Sequence, residues 1–210
     1  QKNNKDYLWE PFTKTSDFIY QNKRNLYKNL RWSKVIFEEI NNDLGLKFSY
    51  QWTTCDKYGF IKTSSIKNLN SENITITLLD GFQNILPWGL NDSIQNSTSN
   101  LADAYKRNEL EKNSKIGIFA LSATIVDRAE PSEALKSNIA FHLGLKENKV
   151  LLSSLQLDKF RKGFEVDEET DIKAEKGAYF VQSSLCLKSG HKKEWMFATD
   201  INKSSSDILE

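Results

Sequence analysis

Leu46-Lys47-Phe48-Ser49-Tyr50-Gln51-Trp52-Thr53-Thr54 places Leu46, Phe48, Tyr50 and Trp52 on one parity and Lys47, Ser49, Gln51 and Thr53 on the other. Successive side chains of a strand point to opposite faces, so this alternation predicts a half-buried β-strand. Upstream, Val35 to Ile40 has strand composition and Asn41-Asn42-Asp43 supplies turn residues before the strand at 46. Downstream, Tyr58 to Ile66 is rich in β-branched and aromatic residues and follows Asp56-Lys57, which predicts a hairpin over 46–66. Ile74, Ile76 and Leu78 alternate with Thr75 and Thr77 after the turn-forming Asn70-Ser71-Glu72-Asn73, predicting a further strand.

The second half repeats this pattern. Lys115–Val126, Lys149–Leu157, Gly177–Leu187 and Glu194–Ile201 are apolar or β-prone runs of strand length, and 188–193 between the last two reads as a turn. Leu101 to Lys112 departs from it: its composition favours a helix, with Asn100 as N-cap and Tyr105-Lys106-Arg107-Asn108-Glu109 as a solvated charged face. Nine to eleven strands with so few helical returns exclude a parallel sheet and predict an all-β fold, a large antiparallel β-sandwich with one or two short helices. With few Gly and Pro (9 and 3), its turns must be built from Asn, Asp, Ser and Lys. The expected organisation is an irregular or extended lead-in over 1–25, one sandwich domain over 26–208, and 209–210 as the kind of pair left at a cloning site. A start at Gln1 without Met reads as a piece of a longer protein and is compatible with a periplasmic or secreted location, a cytoplasmic one being the alternative.

Composition narrows the function. A 39% hydrophobic and 11% aromatic content excludes disorder for the bulk of the 210 residues. The 29 basic and 28 acidic side chains leave a net charge of +1, with no overall field for nucleic acid or an anionic membrane, and no apolar run approaches the roughly 18–20 residues that span a bilayer. Two cysteines and two histidines do not make a disulfide framework or a zinc cluster, so neither metal nor cofactor is expected. Glycine-rich phosphate loops, Gly-x-Ser-x-Gly, His-Glu-x-x-His and Cys-x-x-Cys are all absent from the sequence. Cys55 and Cys186 read as buried inert thiols, His142 in Ile139–Leu143 as a hydrogen-bonded structural histidine, and His191 as a solvated one. Asn-x-Ser/Thr sites at Asn73, Asn91, Asn96 and Asn202 carry little weight in so Asn-rich a chain.

Two segments hold more polar detail than a plain sandwich requires. In Leu79–Gly89 a strand is expected to end at Asp80-Gly81, after which Gln83 and Asn84 mix with Phe82 and Trp88. An indole covers the apolar face of a pyranose while Asp80, Gln83 and Asn84 bind its hydroxyls; alternatively Phe82 and Trp88 anchor the loop on the core. In Val126–Ala134, the three carboxylates of Asp127, Glu130 and Glu133 around Arg128 form either a structural ion-pair cluster or a positioned acid with its partners. Acidic residues are too common here for any pair to be singled out as the two carboxylates of a glycoside hydrolase, so no catalytic residue is assigned.

Tyr27-Lys28-Asn29, Val35–Glu39, Phe48–Trp52, Tyr58–Thr63, Leu79–Pro87 and Asp127–Pro131, over roughly residues 25–145, together resemble the N-terminal β-supersandwich of carbohydrate-active enzymes of the cellobiose phosphorylase type. In that group a galactose-mutarotase-like sandwich precedes an α/α toroid that carries the catalytic residues. The resemblance implies a non-catalytic module of a glycoside phosphorylase or hydrolase, inactive alone, with an oligosaccharide and the catalytic toroid of the same parent chain as partners and a homodimer as a further possibility. The family's catalytic residues have no matching positions here, and its sandwich is usually longer. The alternatives are a free-standing carbohydrate-binding sandwich and, further off, a mutarotase-type sugar epimerase in which His142 or His191 converges with a carboxylate such as Glu130.

Overall fold

The alternation at 46–54 is realised as a strand, β3 (Leu46–Thr54), flanked by β2 (Val35–Asn41) and β4 (Phe60–Asn68) after a short helix α1 (Lys14–Asp17) and β1 (Asn22–Lys28). This computed structural model describes residues 6–31, 33–90, 92–123, 125, 134–146 and 148–209. The chain continues through β5 (Ile74–Ile85), α2 (Asp92–Ser97), α3 (Ser99–Ala104), β6 (Lys106–Glu111), β7 (Ile116–Leu121), β8 (Ser137–Leu143), β9 (Asn148–Leu151), α4 (Leu157–Arg161), β10 (Asp171–Lys173), β11 (Gly177–Leu187), β12 (Lys192–Lys203) and α5 (Ser205–Leu209). The strands pair as a nine-stranded sheet, β1-β2-β3-β4-β12-β8-β7-β6-β10, and a three-stranded sheet, β5-β11-β9. The fold is the expected all-β, sandwich-like one, with five short helices among the described residues where one or two were expected.

The chain divides into two compact units. The first comprises Gln1–Leu78, Leu143–Glu147 and Ser183–Phe197. In it β2 pairs antiparallel with β3 (Val35↔Trp52 to Asn41↔Leu46) and β3 with β4 (Leu46↔Asn68 to Thr54↔Phe60). Asparagines do build the turns. Asn41 Oδ1 accepts the Leu44 N–H at 2.9 Å, Asn70 Nδ2 donates to Leu44 O at 2.9 Å, and buried Asn68 donates to Glu72 O at 2.8 Å. Leu46, Ile66, Ile74, Leu187, Trp195 and Phe197 are among the buried apolar side chains of this unit. The lead-in is held down by Glu39, which is fully buried and accepts from Trp9 Nε1 (2.9 Å), the Phe12 N–H (2.8 Å) and Arg24 Nε (2.6 Å).

The second unit comprises Leu79–His142, Asn148–Gln182 and Ala198–Glu210. Phe119, Val150, Leu151, Leu152, Val166 and Tyr179 are wholly buried in it. A satellite cluster of Leu90, Ala102 and Leu121, with Leu86, Ile94 and Tyr105 against it, fixes α2, α3 and the loop after β5.

Three expectations change here. The strand expected over 149–157 ends at Leu151, and Leu157 opens α4. The helix expected over 101–112 stops at Ala104, and 106–111 is β6, paired with β7 and β10. The buried parity of β6 is Lys106, Asn108 and Leu110, two of them polar, so its alternation is invisible to a hydrophobic pattern. Lys106 is 2% exposed, not solvated. The strand expected to end at Asp80-Gly81 runs on to Ile85. Gly81 serves a close backbone approach instead of a turn: a Cβ there would lie 1.9 Å from Tyr179 O.

Candidate functional site

Asp80, Gln83 and Asn84 lie on the last half of β5, and Trp88 on the loop that follows. Phe82 is buried at 9% exposure, whereas Trp88 is 39% exposed, so the aromatic pair splits into one core anchor and one surface indole. The local chemistry explains the split. Pro87 and the left-handed Gly89 (φ 84°) turn the chain, the Leu90 N–H returns to Pro87 O at 3.4 Å, and buried Leu90 pins the far end in the satellite cluster. The tip carrying Trp88 is left outward.

Trp88 lines a depression of ≈410 Å3 with Leu86, Pro87, Gly89, Leu90, Asn138 and Ile201. Asn138 is committed to holding its wall: Nδ2 donates to Leu86 O at 2.8 Å and Oδ1 accepts the Asn202 N–H at 3.2 Å. The depression therefore offers a mostly apolar lining beside an indole. A second depression of ≈290 Å3 shares Leu86 and is lined by Asn84, Ile85, Asp92, Gln95, Asn96, Lys106 and Lys176. Asn84 takes a left-handed φ of 56° at the end of β5, which asparagine tolerates better than most residues. Inside this wall Lys106 Nζ donates to Gln95 Oε1 at 2.5 Å and to Asp103 Oδ1 at 2.7 Å, and Gln95 Nε2 donates to Asp103 Oδ1 at 3.4 Å. Burial pushes the Asp103 carboxyl up, but the Lys106 ammonium hydrogen-bonded to it, with help from Gln95 and the charge of Lys176, holds it below the ordinary carboxylate value.

Of the sequence candidates, the structure thus brings Asn84 and Trp88 to adjoining depressions. Gln83 is exposed and donates to Ser154 Oγ at 3.2 Å, while Asp80 accepts its neighbour's N–H from Gly81 at 2.9 Å. Asp127, Arg128 and Glu130 lie outside the described residues. Lys106, Gln95, Asp92, Asn96 and Lys176 were missed. They come from α2, β6 and the segment before β11, and only the tertiary placement of α2 brings them together.

The remaining candidates stand apart. His142 Nδ1 meets the Tyr179 hydroxyl at 2.8 Å, as a structural histidine would, and that hydroxyl donates to Lys115 O at 2.5 Å. Burial, and after it the Lys115 ammonium, lowers the His142 pKa; burial, and after it the Glu168 carboxylate, raises that of Tyr179. His191 is exposed. Both thiols are exposed instead of buried: Cys186 falls on the outer parity of β11, and Cys55 sits past the end of β3 with its Sγ against the Tyr58 N–H (3.1 Å) and carbonyl (3.2 Å). Among the described residues no group of three metal-ligating side chains is present.

No family model matches the chain, and no curated protein matches it. Among solved structures, a bacterial glucoamylase complexed with acarbose is similar over 90% of this chain and 25% of its own, at 9% identity and a TM-score of 0.49. A heparinase III with methylated lysines is similar over 89% of this chain and 22% of its own, at 8% identity and a TM-score of 0.41. The chain spans about a quarter of the length of either.

Proposed function

We propose that this chain is a non-catalytic β-sandwich module of a larger carbohydrate-active enzyme, a glycoside phosphorylase or hydrolase, and that it binds a saccharide at the Trp88 loop. The observation that carries the reading is the pairing of an exposed indole in an apolar depression with an amide- and charge-lined depression across Leu86. A pyranose has an apolar face and an equatorial rim of hydroxyls, and these two surfaces match the two depressions. The sequence resemblance to the supersandwich modules of cellobiose phosphorylase-type enzymes agrees with this, and puts the reacting groups on a helical domain of the parent chain. In that arrangement the 86–90 loop is what the module lends to the saccharide cleft.

Calorimetric titration of the chain with neutral oligosaccharides tests the reading. One aromatic platform should give a weak Kd, on the order of millimolar to tens of micromolar. Trp88→Ala should weaken binding at least about tenfold, the loss expected when about 1.4 kcal/mol of stacking goes, with an unchanged circular dichroism spectrum. Absence of binding to every saccharide tried at about 10 mM, or binding indifferent to Trp88→Ala, overturns it.

A further inference from the structure

The depression lined by Asn84 and Lys106 is small. Ligand pockets start at about 300 Å3, so its ≈290 Å3 accommodates a group of monosaccharide size. Its charges cancel. Lys106 and Lys176 contribute two positive charges; Asp92 in the wall and Asp103 behind it contribute two negative ones. Lys106 and Asp103 are locked together at 2.7 Å, their side chains 1% and 22% exposed, so neither is available to neutralise a charged ligand. Lys176 and Asp92 are both exposed and balance each other. The hydrogen-bonding inventory is also mixed. Asn84 and Asn96 each offer a donor and an acceptor, Asp92 only accepts, and Lys106 has three N–H groups of which Gln95 and Asp103 take two. A set of donors and acceptors with zero net charge suits hydroxyl groups, each of which donates and accepts.

We propose that this depression is a subsite for one uncharged pyranose ring of a saccharide whose neighbouring ring lies on Trp88, and that it discriminates against uronic acids. The proposal rests on the saccharide reading of the Trp88 loop and adds the class of sugar. A carboxylate placed here would meet Asp92 without any surplus positive charge to hold it, and would forfeit its hydration for donors already shared.

The test uses cellobiose, maltose and lactose as neutral probes and cellobiouronic acid as the charged counterpart of cellobiose, titrated at low salt. The wild-type chain should bind at least one neutral disaccharide, and should bind cellobiose more tightly than cellobiouronic acid. Asp92→Asn, which leaves the depression with one net positive charge, should raise affinity for cellobiouronic acid about fivefold, the factor for about 1 kcal/mol between unit charges near 4 Å in water. Lys176→Met should lower it by a similar factor. Both positions are exposed, so neither substitution threatens the fold. Asn96→Ala and Asn84→Gly should each weaken neutral-sugar binding, the latter keeping the left-handed backbone. Cellobiouronic acid binding as tightly as cellobiose overturns the proposal. So does neutral binding that is lost in Trp88→Ala yet untouched by Asn96→Ala and Asn84→Gly, an outcome that leaves the Trp88 reading standing. Silence with every probe overturns both.

Discussion

The Tyr179 hydroxyl donates its proton to Lys115 O, so the His142 Nδ1 that faces it at 2.8 Å carries hydrogen, which assigns the Nδ1–H tautomer. Tyr179 is fully buried, and replacing it with Phe strands the Lys115 carbonyl and that N–H together. Tyr179→Phe should therefore cost about 1–3 kcal/mol, read as a lower urea midpoint at neutral pH. The histidine also sets a pH dependence. Its folded-state pKa is lowered, by burial first and the Lys115 charge second, so below about 6.5 the unfolded chain binds more protons than the folded one. The stability this provides is complete above the unfolded value and is lost as pH falls through the lowered folded value. Urea midpoints should fall between pH 7.5 and pH 5, less steeply in His142→Gln. An equal slope in the two proteins would show that other groups set the acid sensitivity.

At the scale of elements, β5 and β11 depend on Gly81, where an added Cβ would meet Tyr179 O at 1.9 Å and Phe180 Cα at 2.8 Å, backbone atoms that cannot swing aside. Gly81→Ala should destabilise by about 3 kcal/mol or more, whereas Gln83→Ala, two residues on and exposed, should stay within about 0.5 kcal/mol; thermal melts of the pair check the contrast. The lead-in depends on Glu39 in the same way. Glu39→Gln keeps the size but turns one acceptor oxygen into a donor facing Trp9 Nε1, the Phe12 N–H or Arg24. Hydrogen exchange at the Phe12 amide should accelerate while the β2–β3 amides keep their protection. What the sequence reveals follows from which side chains are buried. β3 and the first half of β5 alternate apolar with polar residues and β2 is rich in β-branched and aromatic ones, so all three are plain to see although β2 buries Glu38, Glu39 and Asn41 most fully, and β11 is bounded as its composition indicates. β6 hides Lys106 and Asn108, residues that usually mark a surface, and its Lys106–Asp103 pair at i,i+3 looks like an ordinary helix-face ion pair. Asn84 and Trp88 of the proposed site were singled out because amides and an indole cluster within six residues beside a Pro and a Gly. Gln95, Lys106 and Lys176 were not, because no local pattern encodes the meeting of three distant segments.

For the molecule as a whole, the proposed module is one that recognises a saccharide and leaves its transformation to a partner domain. Net charge is +1, and no described helix is long and apolar enough to cross a membrane. An acid–base pair that opens a sugar ring needs two groups that exchange protons near neutral pH. The His142–Tyr179 contact goes the other way, with the imidazole pKa driven down, the phenol pKa driven up and the hydroxyl wholly buried. These shifts leave a neutral, hydrogen-bonded pair at neutral pH that ties β8 to β11. The isolated chain should accordingly bind saccharide without transforming it. Added at about 10 µM, well below a Kd of the kind proposed, to freshly dissolved α-glucose, it should leave the anomer interconversion rate followed by polarimetry at the buffer value. Incubation with cellobiose and maltose, with and without phosphate, should release no monosaccharide or sugar phosphate on chromatography. Acceleration of ring opening that disappears in His142→Gln would make the chain an epimerase in its own right, and would place its chemistry at β8 instead of on a partner domain.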